Sequence, residues 1–386
     1  MRARTVLISG GGIAGATLAH SLGRRGFAVT VVERAAAARS SGNPVDVRGA
    51  AVDVAQRMGV MDRLEELSTH VESLRFITPA GRTIARLDIR PRRRAEGRHD
   101  VEVPRADLAR VLLDAARPTA EFVFGDAIAS LHADTDGVDV AFDSGMERRF
   151  DIVIGADGLH SGVRRLAFGD EAQFVRHQGL YVGTYPLGQP LDDPTEVVML
   201  NTPGRSASVH PGSGHPLAAF IFRSPADPGF DHRDADQHAA MIREAYRGDG
   251  WIVPELLEGL QHADDLYFDA VSQVQLPRWS RGRIALLGDA ASSVSLFGEG
   301  SSLAMIGAAR LANALAETSD AEQAFERFEA EHRPLVRSKQ RMVRLAAGLI
   351  VPGTRLGIGA RNAGVRLSSL GAAWMRRLPS GDAIAG

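Results

Sequence analysis

Along the chain, short apolar runs alternate with glycine-rich breaks and with stretches of helical spacing. The first run, "TVLIS", stops at Ser9, and Gly10-x-Gly12-x-x-Gly15 follows. Apolar positions then recur at Ala16, Leu18, Ala19 and Leu22, the spacing of one helix face, until Gly26 ends the helix. "AVTVV" predicts a second strand that closes on Glu33. Together they predict a βαβ unit. Two later runs stop in the same way. "IVIGADG" at 152–158 leads into a helix-like segment carrying Ser161, Arg164 and Arg165, and "IALLGD" at 284–289 precedes a helical stretch of small residues. "EVPRADLARVLLDAA" at 102–116 places Arg105 at the start of an amphipathic helix.

Between these segments, "SLRFITPAGRTIARLDI", "FVFGDAIASLHADTDGVDVAFDSGMERRFDIVI" and "EVVMLNTPGRSASVHPGSGHPLAAFIFRS" alternate β-type runs with Gly, Asp and Pro turns, which predicts hairpins and meanders. The block 175–275 reads as a mixed sheet with helices near 235–246 and 253–262, and after Ala316 the chain reads as helices. The overall class is α/β.

Composition narrows the chemistry. With 386 residues, 44% hydrophobic and 24% charged, the chain has room for two globular domains. A formal net charge of -2 argues against nucleic-acid binding through bulk electrostatics. The absence of cysteine excludes disulfides, thiolate-bound zinc, iron-sulfur clusters and cysteine nucleophiles, so redox work needs a borrowed cofactor. The apolar run at the N-terminus is too short for a signal segment, and no run approaches membrane-spanning length. The expectation is a cytoplasmic protein without an integral membrane segment. Histidines in "HPGSGH" and "HRDADQH" lack a helical His-His spacing or a converging acid set, so no metal site is expected.

In the first βαβ unit each glycine has a use: a tight turn, close approach of backbone to a diphosphate, and close packing of helix on strand. The helix start, with Ile13 and Ala14, faces the phosphate charge. Glu33 stands where a carboxylate accepts adenosine ribose hydroxyls. This unit alone does not choose between NAD and FAD.

Three separated motifs carry a resemblance: Gly10-x-Gly12-x-x-Gly15 with Glu33-Arg34, Asp157-Gly158-x-x-Ser161-x-x-Arg164, and Gly288-Asp289 with Gly298-x-Gly300. In order and spacing the chain resembles the FAD-dependent aromatic hydroxylases, the group A flavoprotein monooxygenases with the p-hydroxybenzoate hydroxylase fold. Through "SGNPVDVRG", "VPRADLARVLL" and "LGDAASSVSLFGEGSSLAMIGA" it is similar, within that family, to tetracycline-inactivating and polyketide-modifying monooxygenases. The resemblance implies a Rossmann-like FAD-binding domain interleaved with a mixed β-sheet substrate domain and C-terminal helices. The expected bounds are 1–174 for the FAD-binding domain with its meander, 175–275 for the substrate domain, and 276–386 for the completion of the first domain and the helices.

By the same resemblance, FAD would be contacted by Arg34, Asp46, Arg48, Arg105, Asp157 and Asp289, and the amides of Gly300, Ser301 and Ser302 would lie under the flavin pyrimidine edge. NADPH or NADH would meet Arg39, Asp157 and Arg164. Asp157 also reads as a helix cap paired with Arg164, and both roles can hold. Substrate contacts would come from Arg205, from Gly183 where relatives carry a polar amide, and from Phe222 and Phe297. Arg205 equally reads as a solvated turn arginine, and Tyr181, Phe220 and Phe222 as packing aromatics. Serines at 292, 293 and 295 stand where many relatives have histidine and proline, and Ser302 replaces an asparagine beside the flavin.

The implied activity takes a hydride from NADPH or NADH and inserts one oxygen of O2, through a flavin C4a-hydroperoxide, into an aromatic or polyketide-type substrate. The protein would act as a monomer or homodimer, and no catalytic side chain is named. Two rivals are an FAD oxidoreductase without oxygen insertion and a silent FAD-containing ligand-binding protein. The basic run "RPRRRAEGR" at 90–98 reads as a solvated loop or as a site for the NADPH 2'-phosphate. "GWIVP" at 250–254 resembles part of a flavin halogenase motif, but the second tryptophan is absent and Lys339 is the chain's only lysine, which argues against halogenation.

Overall fold

Strand β1 (Thr5–Ser9) lies between two parallel partners, β2 (Ala28–Glu33) and β11 (Ile152–Gly155), with Ile8 opposite both Val31 and Ile154. Its apolar residues Val6, Leu7 and Ile8 are fully buried, as are Ile152, Val153 and Ile154. A parallel strand covered on both faces is apolar along its length, which is why these runs do not alternate. The sheet has the order β17-β18-β11-β1-β2-β7, adding β7 (Glu121–Phe124), β17 (Ser280–Arg281) and β18 (Ile284–Leu286). Beside it stand a three-stranded meander of β8 (Ile128–Ala133), β9 (Val138–Phe142) and β10 (Glu147–Phe150), and a ribbon of β3 (Val45–Val47) with β6 (Val101–Val103). The computed structural model describes residues 4–36, 44–89, 100–212, 216–263, 265–294 and 299–375.

Helix α1 (Ile13–Gly23) packs on the main sheet through Leu18, Ala19 and Leu22 and meets a second core through Ala16. That second core is filled by Val45 and Val47, by α2 (Ala50–Met58) and α3 (Met61–Glu66), by Leu108 and Leu112 of α4 (Arg105–Ala116), and by Met305. Short α5 (Gly162–Ala167) and α8 (Asp289–Ser292) follow β11 and β18, and α9 (Glu299–Glu317) runs against α1. The predicted βαβ unit and the helix at Arg105 are present at these positions.

The chain divides into two units, each assembled from three segments. Unit 1 comprises 1–69, 98–179 and 270–346, and unit 2 comprises 70–97, 180–269 and 347–386. This differs from the expected bounds, which put 70–97 with the first domain and 347–386 with its completion. The cause is long-range pairing: β4 (Ser73–Ile77) lies parallel to β13 (Glu196–Thr202), with Leu74 opposite Val197, and β5 (Thr83–Asp88) follows β4 as its antiparallel partner. Helix α11 (Arg355–Met375), reached after the long α10 (Ala321–Ile350), then packs on β5.

Unit 2 is built on a seven-stranded sheet of order β16-β12-β15-β14-β13-β4-β5, with β12 (Val175–Pro186), β14 (Arg205–His210), β15 (Leu217–Arg223) and β16 (Tyr267–Val274). Helix α6 (Ala235–Ala245) is capped by the Asp234 carboxylate, which accepts from the Gln237 amide at 2.9 Å. Its Ile242 and the following Tyr246 cover one sheet face, where Tyr246 meets Phe220 and Phe222 edge-on and donates its hydroxyl to the Ser206 and Ile221 carbonyls. Burial raises the phenol pKa of Tyr246, and lifts that of Tyr185, which donates to the Leu256 carbonyl of α7 (Val253–Gly259), to about 12.

The "GWIVP" segment is a clamp on the β4–β5 turn. Trp251 adopts a left-handed backbone with φ of 62°, and its amide donates to the Pro79 carbonyl at 2.5 Å. The bond offsets a backbone cost of about 1–2 kcal/mol.

In unit 1, His332 of α10 is 4% exposed, stacks on Phe328, and has its pKa lowered to about 4, first by burial and then by Arg310. The unfolded chain therefore binds a proton that the folded chain refuses between pH 6.5 and about 4. Stability should rise with pH through that window, by roughly 3 kcal/mol if the whole shift is traversed. Urea melts of wild type and His332→Gln across this range check it: the variant should lose that part of the pH dependence.

Candidate active site

The candidate cofactor residues gather at the C-terminal ends of β1, β11 and β18. Gly10 continues β1 with φ of +102°, and a Cβ there would fall 2.5 Å from the Ala156 oxygen, so the first two loops touch backbone to backbone. A Cβ on Gly15 would fall 1.9 Å from the Gly10 oxygen, which forces glycine at the first turn of α1. Gly12, the helix N-cap, has no side-chain cap and meets nothing within 4 Å of its own Cβ position. The helix start is therefore bare of side chains, with the Ile13 and Ala14 amides in its first turn.

Glu33 ends β2 and folds back on this loop. One carboxylate oxygen accepts from the Gly11 amide at 2.8 Å and the other from the Ala35 amide at 2.9 Å. Each oxygen keeps a lone pair for a further donor. Arg34 beside it is exposed, and its guanidinium lies 3.8 Å from the Cβ position of Gly162, while Asp157 Oδ2 lies 3.6 Å from the same point.

Asp157 organises the second loop. It accepts from the Ser161 hydroxyl at 2.5 Å and from the Val163 amide at 3.0 Å, and Ser161 in turn caps α5 by accepting from the Arg164 amide at 2.9 Å. Such caps contribute about 1 kcal/mol each. The third loop turns at Gly288, φ +62°, where a Cβ would lie 2.9 Å from that of Ala14. Asp289 follows as the first residue of α8, and its carboxylate comes within 4.0 Å of the Gly300 Cβ position. The Gly288 loop thus packs against the start of α1, and Asp289 reaches the first turn of α9.

Comparison with known proteins agrees with this geometry. The FAD binding domain family matches residues 3–343. The chain belongs to this family, that of the group A aromatic hydroxylases. It is 34% identical over 340 residues to a flavin-dependent monooxygenase from an unknown prokaryotic organism, covering 87% of this chain and 88% of the relative. It is 32% identical over 342 residues to a flavin-dependent monooxygenase of Legionella longbeachae, with 87% of each covered. Among solved structures, the tetracycline destructase Tet(55) aligns with a TM-score of 0.82 and 31% identity over 94% of this chain and 95% of that one.

For the family's FAD, the loops described above fit: the open helix start suits a diphosphate and Glu33 suits a ribose. Ser301 and Ser302, in the first turn of α9, are engaged by the protein itself. Both hydroxyls donate to the Asp46 carbonyl, at 2.6 and 2.7 Å, and the Ser302 hydroxyl accepts from the Arg48 amide at 3.0 Å. The serine that replaces asparagine thus ties α9 to the β3 ribbon. Arg48 also pairs with the Asp46 carboxylate at 2.8 Å. Arg105, at the start of α4, is exposed. Glu299 pairs with Lys339 at 2.7 Å, a contact that spacing alone did not suggest.

Arg164 differs from expectation. Its side chain is fully buried, and it donates to the Ala290 and Leu159 carbonyls and to Glu171. Burial lowers its pKa, opposed by Glu171 and Asp157. A guanidinium enclosed this way braces the Asp157 loop against α8.

The expected substrate residues share one sheet face in unit 2, and it is the face that α6 covers. Arg205 is opposite Phe222, and Phe222 opposite Tyr181. Gly183 lies two residues along on the same side, where a Cβ would strike Ile242 at 2.8 Å. Glycine at 183 is a packing requirement. Phe222 stacks on Tyr181 at 5.7 Å, which is a core contact. Arg205 pairs with Asp249 at 2.9 Å and bonds Thr202 at 3.0 Å. The opposite face carries Val182, Thr184, Ser208 and Ile221, and Ser208 bonds His210 at 3.0 Å. Arg39, Phe297 and the basic run at 90–98 lie outside the described residues. His238 is spent on the Asp231 carbonyl and a stack against Phe268, so "HRDADQH" is a packed capping segment.

Gly15→Ala should yield protein with little bound flavin, read from its visible absorbance, because the added methyl displaces the Gly10 carbonyl. Asp249→Ala should lower stability by about 2–3 kcal/mol by leaving Arg205 unpaired, with flavin content unchanged, as measured by urea titration and absorbance.

Proposed function

We propose that the protein is a single-component monooxygenase that consumes NADPH or NADH and O2 and acts on a flat aromatic or polyketide-type substrate. The observation that carries this reading is the junction in unit 1 of an uncapped α1 start, the Glu33 carboxylate and the Asp157 and Asp289 loops, in a chain of the FAD-binding monooxygenase family. The substrate class is supported by the tetracycline destructase to which the chain is similar.

When bound, FAD supplies hydride acceptance and oxygen activation, so the protein's residues orient, neutralise and exclude water. The amides opening α1 hold the diphosphate, and the positive end of that helix contributes about 0.3–1 kcal/mol toward each nearby negative charge. Glu33 accepts the ribose hydroxyls through its remaining lone pairs. Asp289 anchors the third loop beside Gly300, and the Gly300, Ser301 and Ser302 amides turn a second helix start toward the flavin. Asp157, held by Ser161 and Val163, sets the loop on which the nicotinamide cosubstrate approaches, with Arg164 as its buried brace. Substrate selection is assigned to the sheet face of Val182 and Ile221, since Gly183, Phe222 and Arg205 are committed to packing on the other.

Anaerobic stopped-flow absorbance with NADPH, in the presence of anthraquinones, tetracyclines or simple phenols, tests the proposal, followed by admission of oxygen-18 gas. The expected result is flavin bleaching that one compound class accelerates, and a product carrying one oxygen-18 atom. Turnover without oxygen would favour an oxidoreductase, and a flavin that no nicotinamide reduces would point to a ligand-binding protein. Asp289→Ala should lose FAD; full flavin occupancy in that variant would overturn the assignment of the third loop.

A further inference from the structure

Charge is strongly segregated along the chain. After Glu331 come ten of the 45 lysines and arginines but only one of the 47 acids, Asp382, so that the first 331 residues carry -11 and the last 55 carry +9. No acid occurs from His332 to Gly381. Some of these cations are used internally: Arg333 pairs with Glu329, Lys339 with Glu299, and Arg361 lies 4.0 Å over the Phe76 ring. Arg337, Arg341 and Arg355 are exposed and form no ion pair among the described residues.

The same segment exposes large apolar side chains. In α11, Leu356 and Leu367 are 87% and 70% exposed. At 3.6 residues per turn they lie on one helix face with Gly359, Ala360, Ala363 and Gly364, all exposed, and the exposed Arg355 and Arg366 border that face on one flank. The helix is held to unit 2 by its other side, where Asn362 is buried, and on the flank the exposed Arg366 donates to the Ile84 carbonyl at 2.7 Å. Near the end of α10, Met342, Leu345 and Leu349 are likewise exposed on one side, next to Arg337 and Arg341. Exposed leucines bounded by arginines are the composition of a helix lying in a lipid interface.

We propose that α11 docks on an anionic lipid surface. The charge decides the occupant. A second copy meeting this face through α11 would bring together two helices that carry arginines and no acid, whereas an anionic bilayer supplies both the negative charge and an apolar layer for Leu356 and Leu367. No described helix is long and apolar enough to cross a membrane, so the mode is lying on the surface.

Co-sedimentation of the full chain with vesicles of phosphatidylcholine mixed with phosphatidylglycerol, against phosphatidylcholine alone, tests this. The full chain should pellet with the anionic vesicles only, and less as salt is raised. The Leu356→Ser/Leu367→Ser variant should bind about tenfold more weakly with unchanged melting temperature and flavin content, given the apolar area removed. Arg355→Gln should weaken binding and flatten its salt dependence. Equal binding to both vesicle types, binding to neither, or a leucine variant that binds like wild type would overturn the proposal. So would a dimer, seen by light scattering, that the leucine variant breaks while vesicle binding is absent.

Discussion

Helix α1 begins so close to β1 that the Gly10 carbonyl oxygen occupies the space of a side chain at Gly15. Because of that approach the helix axis points its uncapped start at the edge where β1, β11 and β18 end, and everything else in unit 1 is arranged around this edge. The Gly10 backbone abuts Ala156, which brings in the Asp157 loop, and Ala14 abuts Gly288, which brings in Asp289. These contacts tolerate no added methyl group. The geometry of this corner results from steric exclusion.

The parts legible in the sequence were those whose constraints are local. Glycine spacing, a strand ending in an acid, and the Ser161 cap three residues before the Arg164 amide all act within a few residues, so motif and geometry coincide. The face on which a strand residue points was not legible in the same way. Gly183, Arg205 and Phe222 lie on three different strands, and only the cross-strand register and the position of α6 show that they face a packed layer. Their resemblance to ligand-contacting positions concealed a packing role. The assignment of 70–97 to unit 2 depends on parallel pairing of Leu74 with Val197, which no periodicity within either strand encodes.

Arg164 and the serines of α9 show a second reason for mismatch: motif residues can be consumed by the scaffold. Arg164 is drawn inward because the carbonyls of Leu159 and Ala290 need donors where the loop after β11 meets α8. Ser301 and Ser302 are short enough to reach the Asp46 carbonyl, and in doing so their hydroxyls are committed to the β3 ribbon.

The interleaving of the two units also bears on how the chain is made. Strand β11 is paired on one side with β1, but its other partner is β18, with Val153 opposite Ile284. On a ribosome, that edge of the growing sheet stays open until the intervening unit 2 segment has emerged. The unit 2 sheet in turn waits for α11 to cover β5. Neither unit can finish before nearly the whole chain is synthesised, so the protein acquires its cooperative core late and at once, as expected where long-range strand pairing rather than local contact closes a sheet.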